Sequence, residues 1–199
     1  MSSGLPGEGR LLEWAYRHAH ESRLRPRLHF LESAVPYSGA AVVYALLSLL
    51  AFRRPDDRGP ALRAMAAGVI AWIVSDVLKL AVERPRPCLD YISCGHHSFP
   101  EGPGMVLAAI AVAIWPRSRA IAIVAAVWAL ADAAVQLGYG SHWPSDLLGA
   151  WVLGGLCGLI VPSGILALMR AREERPKGNS PWRDGVSSVR CTFLSWSPK

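Results

Sequence analysis

The sequence predicts an all-α fold: a polytopic membrane bundle of about five transmembrane helices, preceded by an N-terminal helix in the membrane interface. Three observations predict it. Hydrophobic residues make up 52% of the 199 and charged ones only 18%. The apolar residues come in blocks, as bilayer spans require, where a soluble domain would intersperse them with polar ones. The net charge of +6 rests mostly on arginines in short loops and tails, a bias of membrane orientation and anionic lipid. No aromatic-plus-basic nucleic-acid module accompanies it, so no nucleic-acid partner is expected.

Residues 1–35 form an N-terminal segment in which, given its many charges and lack of an unbroken apolar run, no signal peptide is expected. Within it, 11–31 mix Leu, Trp, Tyr and Phe with Arg and His, the composition of an amphipathic interfacial helix, broken near Pro26. Residues 36–169 form the membrane-embedded domain. Its first apolar segment, 37–52, is short for a span; the second runs from about 61 to 82, the third from 103 to 115, the fourth from 119 to 137. The fifth opens at Pro144, a good first helical residue, and ends near Met169. The tail, 170–199, is basic, rich in Pro, Ser and Gly, and expected to be disordered.

Cys157 lies inside an apolar segment and reads as packing. Cys88 and Cys94 flank a short loop and would pair in an oxidising compartment, or remain thiols. With five spans, the loops carrying Arg53, Arg54, Arg58 and Arg63, then Arg117 and Arg119, fall on one side with the tail. That side is expected to be cytoplasmic. The loops described next would then face outward across a bacterial plasma membrane. Arg10, Arg17, Arg23, Arg25 and Arg27 of the N-terminal helix would lie outside too, against this bias.

The second apolar segment ends in Lys79, followed by Arg84-Pro85-Arg86-Pro87. Asp76 shares a helix face with Lys79, so an ion pair beside snorkelling arginines is one reading. The other is an anion pocket, with Lys79, Arg84 and Arg86 held by a proline-fixed loop. Ionisable groups at membrane depth favour the second. His142 precedes the start of the fifth helix, and Asp146 stands four residues on. A carboxylate at that spacing fixes the tautomer of the imidazole and leaves its other nitrogen free to attack phosphorus. The alternative is a helix-capping Asp beside an interfacial His.

These two motifs resemble the type 2 phosphatidic acid phosphatase family, part of the superfamily that includes vanadium haloperoxidases. Its signature reads Lys-x6-Arg-Pro, Pro-Ser-Gly-His and Ser-Arg-x5-His-x3-Asp. The first part is complete from Lys79 to Arg86-Pro87, and the end of the third is complete as His142 and Asp146. The resemblance runs from about 36 to 165 and implies an α-helical bundle that removes phosphate from lipid phosphates without metal or cofactor. It implies that Lys79, Arg86 and Gly102 bind phosphate, that His142 becomes a phosphohistidine, and that Asp146 orients it.

Four positions depart from the signature. Its serine falls on Glu101, its second-motif histidine on Pro103, and its third-motif Ser-Arg on Val135-Gln136. Proline transfers no proton. A protonated, buried Glu101 would replace the missing acid, or His96 or His97 would supply the proton. Alternatively Glu101 recruits Mg²⁺ together with Asp132, one helical turn before Gln136, or merely pairs with Arg84 or Arg86.

The expected function is a membrane phosphatase acting on a lipid phosphate or isoprenoid (di)phosphate. The alternatives are a lipid-phosphate-binding pseudoenzyme, or a prenyl-diphosphate enzyme of diphosphate-releasing or cyclase type. In that last reading Trp72, Trp128 and Trp143 would attend an allylic cation; singly, each reads as an interface anchor or core packing.

Overall fold

A computed structural model describes residues 5–21, 25–87 and 97–173, without the side chains of 20, 21, 25–29, 32, 33 and 173. Cys88, Cys94, His96 and the tail beyond Glu173 lie outside the described residues. The elements are α1 (Glu8–Glu21), α2 (Arg25–Arg53), a 3-10 turn (Pro55–Asp57), α3 (Arg58–Val82), α4 (Gly102–Ile114), α5 (Arg119–Tyr139) and α6 (Pro144–Glu173). Every regular element among the described residues is helical. One compact unit runs through Ile165; a second begins at Leu166 and is described only as the last turns of α6.

The N-terminal segment is described as two helices, α1 and α2, with residues 22–24 between them outside the described residues. α1 ends at Glu21, and α2 begins again at Arg25 with Pro26 in its first turn, where a missing N–H breaks no helical bond. α2 then runs unbroken past residue 35 to Arg53.

Among the described residues, four helical stretches are long and apolar enough to cross a membrane: Ala34–Arg53, Pro55–Val82, Arg119–Tyr139 and Pro144–Arg172. The third expected span, α4, has only 13 residues. At 1.5 Å per residue it reaches about 20 Å, well short of a bilayer core of about 30 Å. It has no need to match the bilayer, because protein sheathes it. Val106, Leu107, Ile110 and Ile114 pack with Val43 and Leu47 of α2, Ala61 and Ala64 of α3, and Ile121 and Ala125 of α5. Met105 and Ala109 meet Ala67 and Ala71 of α3 and Ala150 of α6.

Lipid tails are as apolar as leucine, so burial of hydrocarbon alone does not hold such helices together; close van der Waals packing does. Small residues provide it. A Cβ on Gly154 would lie 2.2 Å from the Met105 carbonyl oxygen, and one on Gly158 2.4 Å from that of Ala109, so two glycines bring α6 onto the α4 backbone. The outer faces carry exposed Val69, Ile73 and Val77 on α3, Val127 and Leu130 on α5, and Val152 and Leu159 on α6. In water such a belt would aggregate; in a bilayer it is solvated.

At one end of the bundle buried Asp57 accepts from Arg117 Nε, and Arg54 stands 4.0 Å away. This ion pair joins the 3-10 turn to the α4–α5 loop, so the two arginine-bearing loops share an end, as the charge pattern predicts. The C-termini of α3 and α5 and the N-termini of α4 and α6 meet at the other.

The α4–α6 contact sets a stability test. Gly158→Ala drives a methyl into backbone and should destabilise the protein by about 1–3 kcal/mol, the range for overpacking. Gly164→Ala meets open space and should stabilise by about 0.5–1 kcal/mol. Thermal unfolding in detergent checks both, and equal shifts would contradict the close approach of α4 and α6.

Candidate active site

Helix ends place the chemistry. Lys79 sits in the last turn of α3, which stops at Glu83, a left-handed residue with φ 50°. Glu83 turns the chain away from the helix axis into Arg84-Pro85-Arg86-Pro87. Carbonyls of that strip are pinned by neighbours. Ser98 N donates to Arg84 O at 2.8 Å, and Trp143 Nε1 to Pro85 O at 3.0 Å. The Phe99 ring fills a notch over Gly149 of α6, where a Cβ would stand 2.4 Å from ring carbon Cε2. α5 ends at Gly140, whose φ of 75° suits glycine. The chain thereby turns Ser141 and His142 into the space before α6.

His142 is 4% exposed, and its Nδ1 stands 3.6 Å from Asp146 Oδ2, just beyond hydrogen-bond length. That same Oδ2 accepts from Trp143 N at 2.9 Å. Asp146 therefore caps α6 and faces the imidazole at once, so both readings of this pair hold together. Burial depresses the basicity of His142, and the cations Arg86 and Lys79 depress it further against the pull of Asp146. The imidazole is thus neutral near pH 7, the form with a free nitrogen lone pair.

Arg84 does not point to an open site. Its Nη1 donates to Asp146 Oδ1 at 2.7 Å and to Ser145 Oγ at 2.6 Å, and its Nη2 donates to Glu8 Oε2 at 3.0 Å. The guanidinium also lies 5.6 Å from the Trp143 ring centre. The expectation that Arg84 joins the phosphate-binding cations meets a side chain already engaged as a brace.

Lys79 and Arg86 are differently placed. Lys79 is only loosely paired, 3.8 Å from an exposed Asp76. A Cβ on Gly102 would stand 3.3 Å from Lys79 Nζ and 3.4 Å from Ser75 Oγ, so the glycine leaves a bare cradle beside an ammonium and a hydroxyl. Among the described residues Ser75 Oγ, Arg86 Nε and Trp151 Nε1 are buried without a hydrogen-bond partner, while His142 Nδ1 faces Asp146 alone. Orphaned donors of this kind are rare in a finished interior and mark a place where a ligand supplies the acceptors.

Glu101 caps α4: its Oε2 accepts from Gly104 N at 2.5 Å. The carboxyl is 1% exposed and hydrogen-bonded to Asp132. Burial, then the neighbouring Asp132 carboxyl, push its proton affinity well above the ordinary carboxylate range, against the Gly104 N–H and Lys79. Gln136 Nε2 donates to Asp132 Oδ1 at 3.4 Å, and Ser141 Oγ donates to Gln136 Oε1. A buried chain, Glu101–Asp132–Gln136–Ser141, thus ends one residue from His142. Glu101 has Asp132 and Lys79 beside it, and Arg84 is engaged elsewhere, so the simple Glu101–Arg84 ion pair is not what forms.

Of the residues singled out in the sequence, Lys79, Arg86, Gly102, Glu101, Asp132, Gln136, His142 and Asp146 meet at this end, with half-buried His97 in the loop leading to Glu101. Among the described residues no group of three or more His, Cys, Asp or Glu comes together to hold a metal ion. Trp72 faces outward on α3, and Trp128 bonds Val35 O of α2 at 2.9 Å; of the three tryptophans Trp143 reaches the mouth. Sequence reasoning missed Glu8, Ser75 and Trp151. Ser75 had a signal, standing one helical turn before Lys79 on the same face.

Residues 59–170 match the PAP2 superfamily. The fold is similar to that of the first transmembrane PAP2-type phosphatidylglycerolphosphate phosphatase from Bacillus subtilis, with TM-score 0.60, 20% identity, and 82% of this chain and 88% of that one covered. It is also similar to Aquifex aeolicus LpxE, with TM-score 0.54, 22% identity, and 74% and 92% covered. No curated protein matches the chain.

The raised proton affinity of Glu101 makes stability depend on pH. The folded state holds this proton more tightly than the unfolded chain does. Its contribution is therefore complete below the unfolded carboxylate value of 4.5 and is lost as pH rises through the raised folded value. Glu101→Gln, a neutral isostere, should flatten the melting-temperature profile between about pH 5 and about pH 8 and be the more stable protein at the upper end. Parallel profiles for the two proteins would show that Glu101 is ionised throughout.

Proposed function

Because the chain belongs to the PAP2 superfamily, we propose that it is a membrane phosphatase. It hydrolyses a lipid phosphate or isoprenoid (di)phosphate through a phosphohistidine on His142. The observation that carries this reading is a buried imidazole backed by Asp146, with Arg86 and Lys79 acting on it and buried donors of Arg86 and Ser75 that have no acceptor among the described residues.

In the proposed reaction Lys79 and Arg86 neutralise the phosphate oxygens, and Gly102 lets them approach the N-terminus of α4, whose dipole favours an anion. His142 Nε2 attacks phosphorus while the bond to the leaving oxygen breaks. Asp146 holds Nδ1–H and stabilises the imidazolium that forms. Glu101, protonated in the resting site, gives its proton to the leaving oxygen. Its carboxylate then takes a proton from the water that attacks the phosphohistidine, and the N–P bond breaks to release orthophosphate. General acid catalysis contributes about 10²–10⁴-fold, so a carboxyl at residue 101 is enough to restore what Pro103 cannot give. The lipid enters between helices, and the active end faces the extracytoplasmic side, opposite the arginine-rich loops.

Purified protein in detergent with a panel of lipid mono- and diphosphates tests the proposal, scoring orthophosphate and diphosphate separately with EDTA and with Mg²⁺. Orthophosphate release that survives EDTA and is abolished by His142→Ala is the expected result. Diphosphate release dependent on Mg²⁺ would instead assign a prenyl-diphosphate enzyme. Retained lipid-phosphate binding without any release would make the chain a pseudoenzyme.

A further inference from the structure

The geometry points to Glu8, in the first turn of the N-terminal helix, as a positioning residue of the active site, acting on His142 through Arg84 and Asp146. The assignment rests on the proposal that His142 is the nucleophile.

Glu8 is 76 residues from Arg84 and 137 from Ser145, yet its carboxylate is built into the mouth of the site. Oε1 accepts from Ser145 N at 2.6 Å; Oε2 accepts from Arg84 Nη2 at 3.0 Å and from Leu5 N at 2.7 Å. Ser145 N is among the first N–H groups of α6, where the helix dipole favours an anion. Burial alone would raise the proton affinity of Glu8, but the bonds from Ser145 and Leu5, with Arg84, more than reverse this and keep it ionised. The Glu8 side chain is 5% exposed and that of Arg84 14%, so solvent screens the contact little.

Arg84 thus stands between two carboxylates, Glu8 and Asp146, and its Nη1 fixes Asp146 Oδ1. Two things follow. Asp146 is held with Oδ2 turned toward His142 Nδ1. And because Glu8 balances the guanidinium, Asp146 is not neutralised by its own brace; it still pulls on the imidazole. Without Glu8, Arg84 would be balanced by Asp146 alone, offsetting more of the pull of Asp146 on the imidazole and adding to Arg86 and Lys79, which already oppose a charged His142. The placement of α1 fits the role. Leu12, one turn after Glu8, is buried, while Leu11 and Trp14 are exposed on another side of the helix. A cavity of about 290 Å³ lies between Gly9, Leu12, Glu13, Tyr16 and Arg17 of α1 and the loop residues Pro87 and Trp143.

Glu8→Gln keeps the shape and removes the charge. It is predicted to lower kcat by about tenfold, the scale of a lost orienting partner, with KM little changed because Lys79, Arg86 and Gly102 are untouched. The acidic limb of the kcat profile should move to lower pH. The histidine NMR titration of His142, assigned with His142→Ala, should move the same way. Glu8→Asp keeps the charge, so its titration should stay with the wild type. Wild-type kcat and titration in Glu8→Gln would overturn the inference. So would a fall in activity and melting temperature with the titration unmoved, which would make Glu8 a structural tie, or a titration in Glu8→Asp displaced as far as in Glu8→Gln. A wild-type protein that releases no orthophosphate would remove the phosphatase reading, while the titrations would still decide the role of Glu8.

Discussion

The guanidinium of Arg84 ties together three parts of the chain that are remote in sequence: the exit from α3, the start of α6 and the N-terminal helix. A buried cation with one carboxylate removed is strongly destabilising, because the remaining charge has neither water nor partner. Here both carboxylates are present, and a hydroxyl and an aromatic face complete the surroundings. The position of Asp146, and with it the orientation of His142, follows from this tie. So does the course of the Pro85–Pro87 strip, whose first carbonyl bonds Trp143.

Against that fixed frame, the opposite side of the site is left incomplete. Lys79 and Ser75 line a cradle at Gly102, Arg86 acts on His142, and among the described residues no group accepts from Ser75 Oγ or the buried Arg86 Nε. The contrast separates two kinds of arginine that sit two residues apart. Arg84 is bound by protein on its terminal nitrogens; Arg86 keeps a buried Nε open. The acidic side is built on the same logic. Glu101 is buried against the Asp132 carboxyl, and burial and that neighbour raise its proton affinity, so position 101 favours a neutral carboxyl on this side of the site.

Much of this was legible in the sequence because helix ends carry spacing. Lys79 and the Arg-Pro pair straddle the end of α3, and His142 and Asp146 straddle the start of α6, so short-range intervals alone placed them. Glu101 stood out as a carboxylate where a neutral residue is expected, and Asp132 as a charge within an apolar helix. The rest was invisible for physical reasons. Glu8 reads as one more acid in a mixed amphipathic stretch, since nothing local reveals a partner 76 residues away. Trp151 reads as an interface anchor. α4 reads as a span because an apolar run looks the same whether lipid or protein surrounds it; only its 13-residue length hinted at burial.

The central claim is a covalent bond between His142 and phosphorus. The direct measurement is to quench the enzyme during turnover of a ³²P-labelled lipid phosphate and map the labelled peptide. The account predicts label on the peptide bearing His142, stable to alkali and lost in acid. Label on the Glu101 peptide, sensitive to hydroxylamine, or turnover with no labelled protein at any quench time, would contradict it.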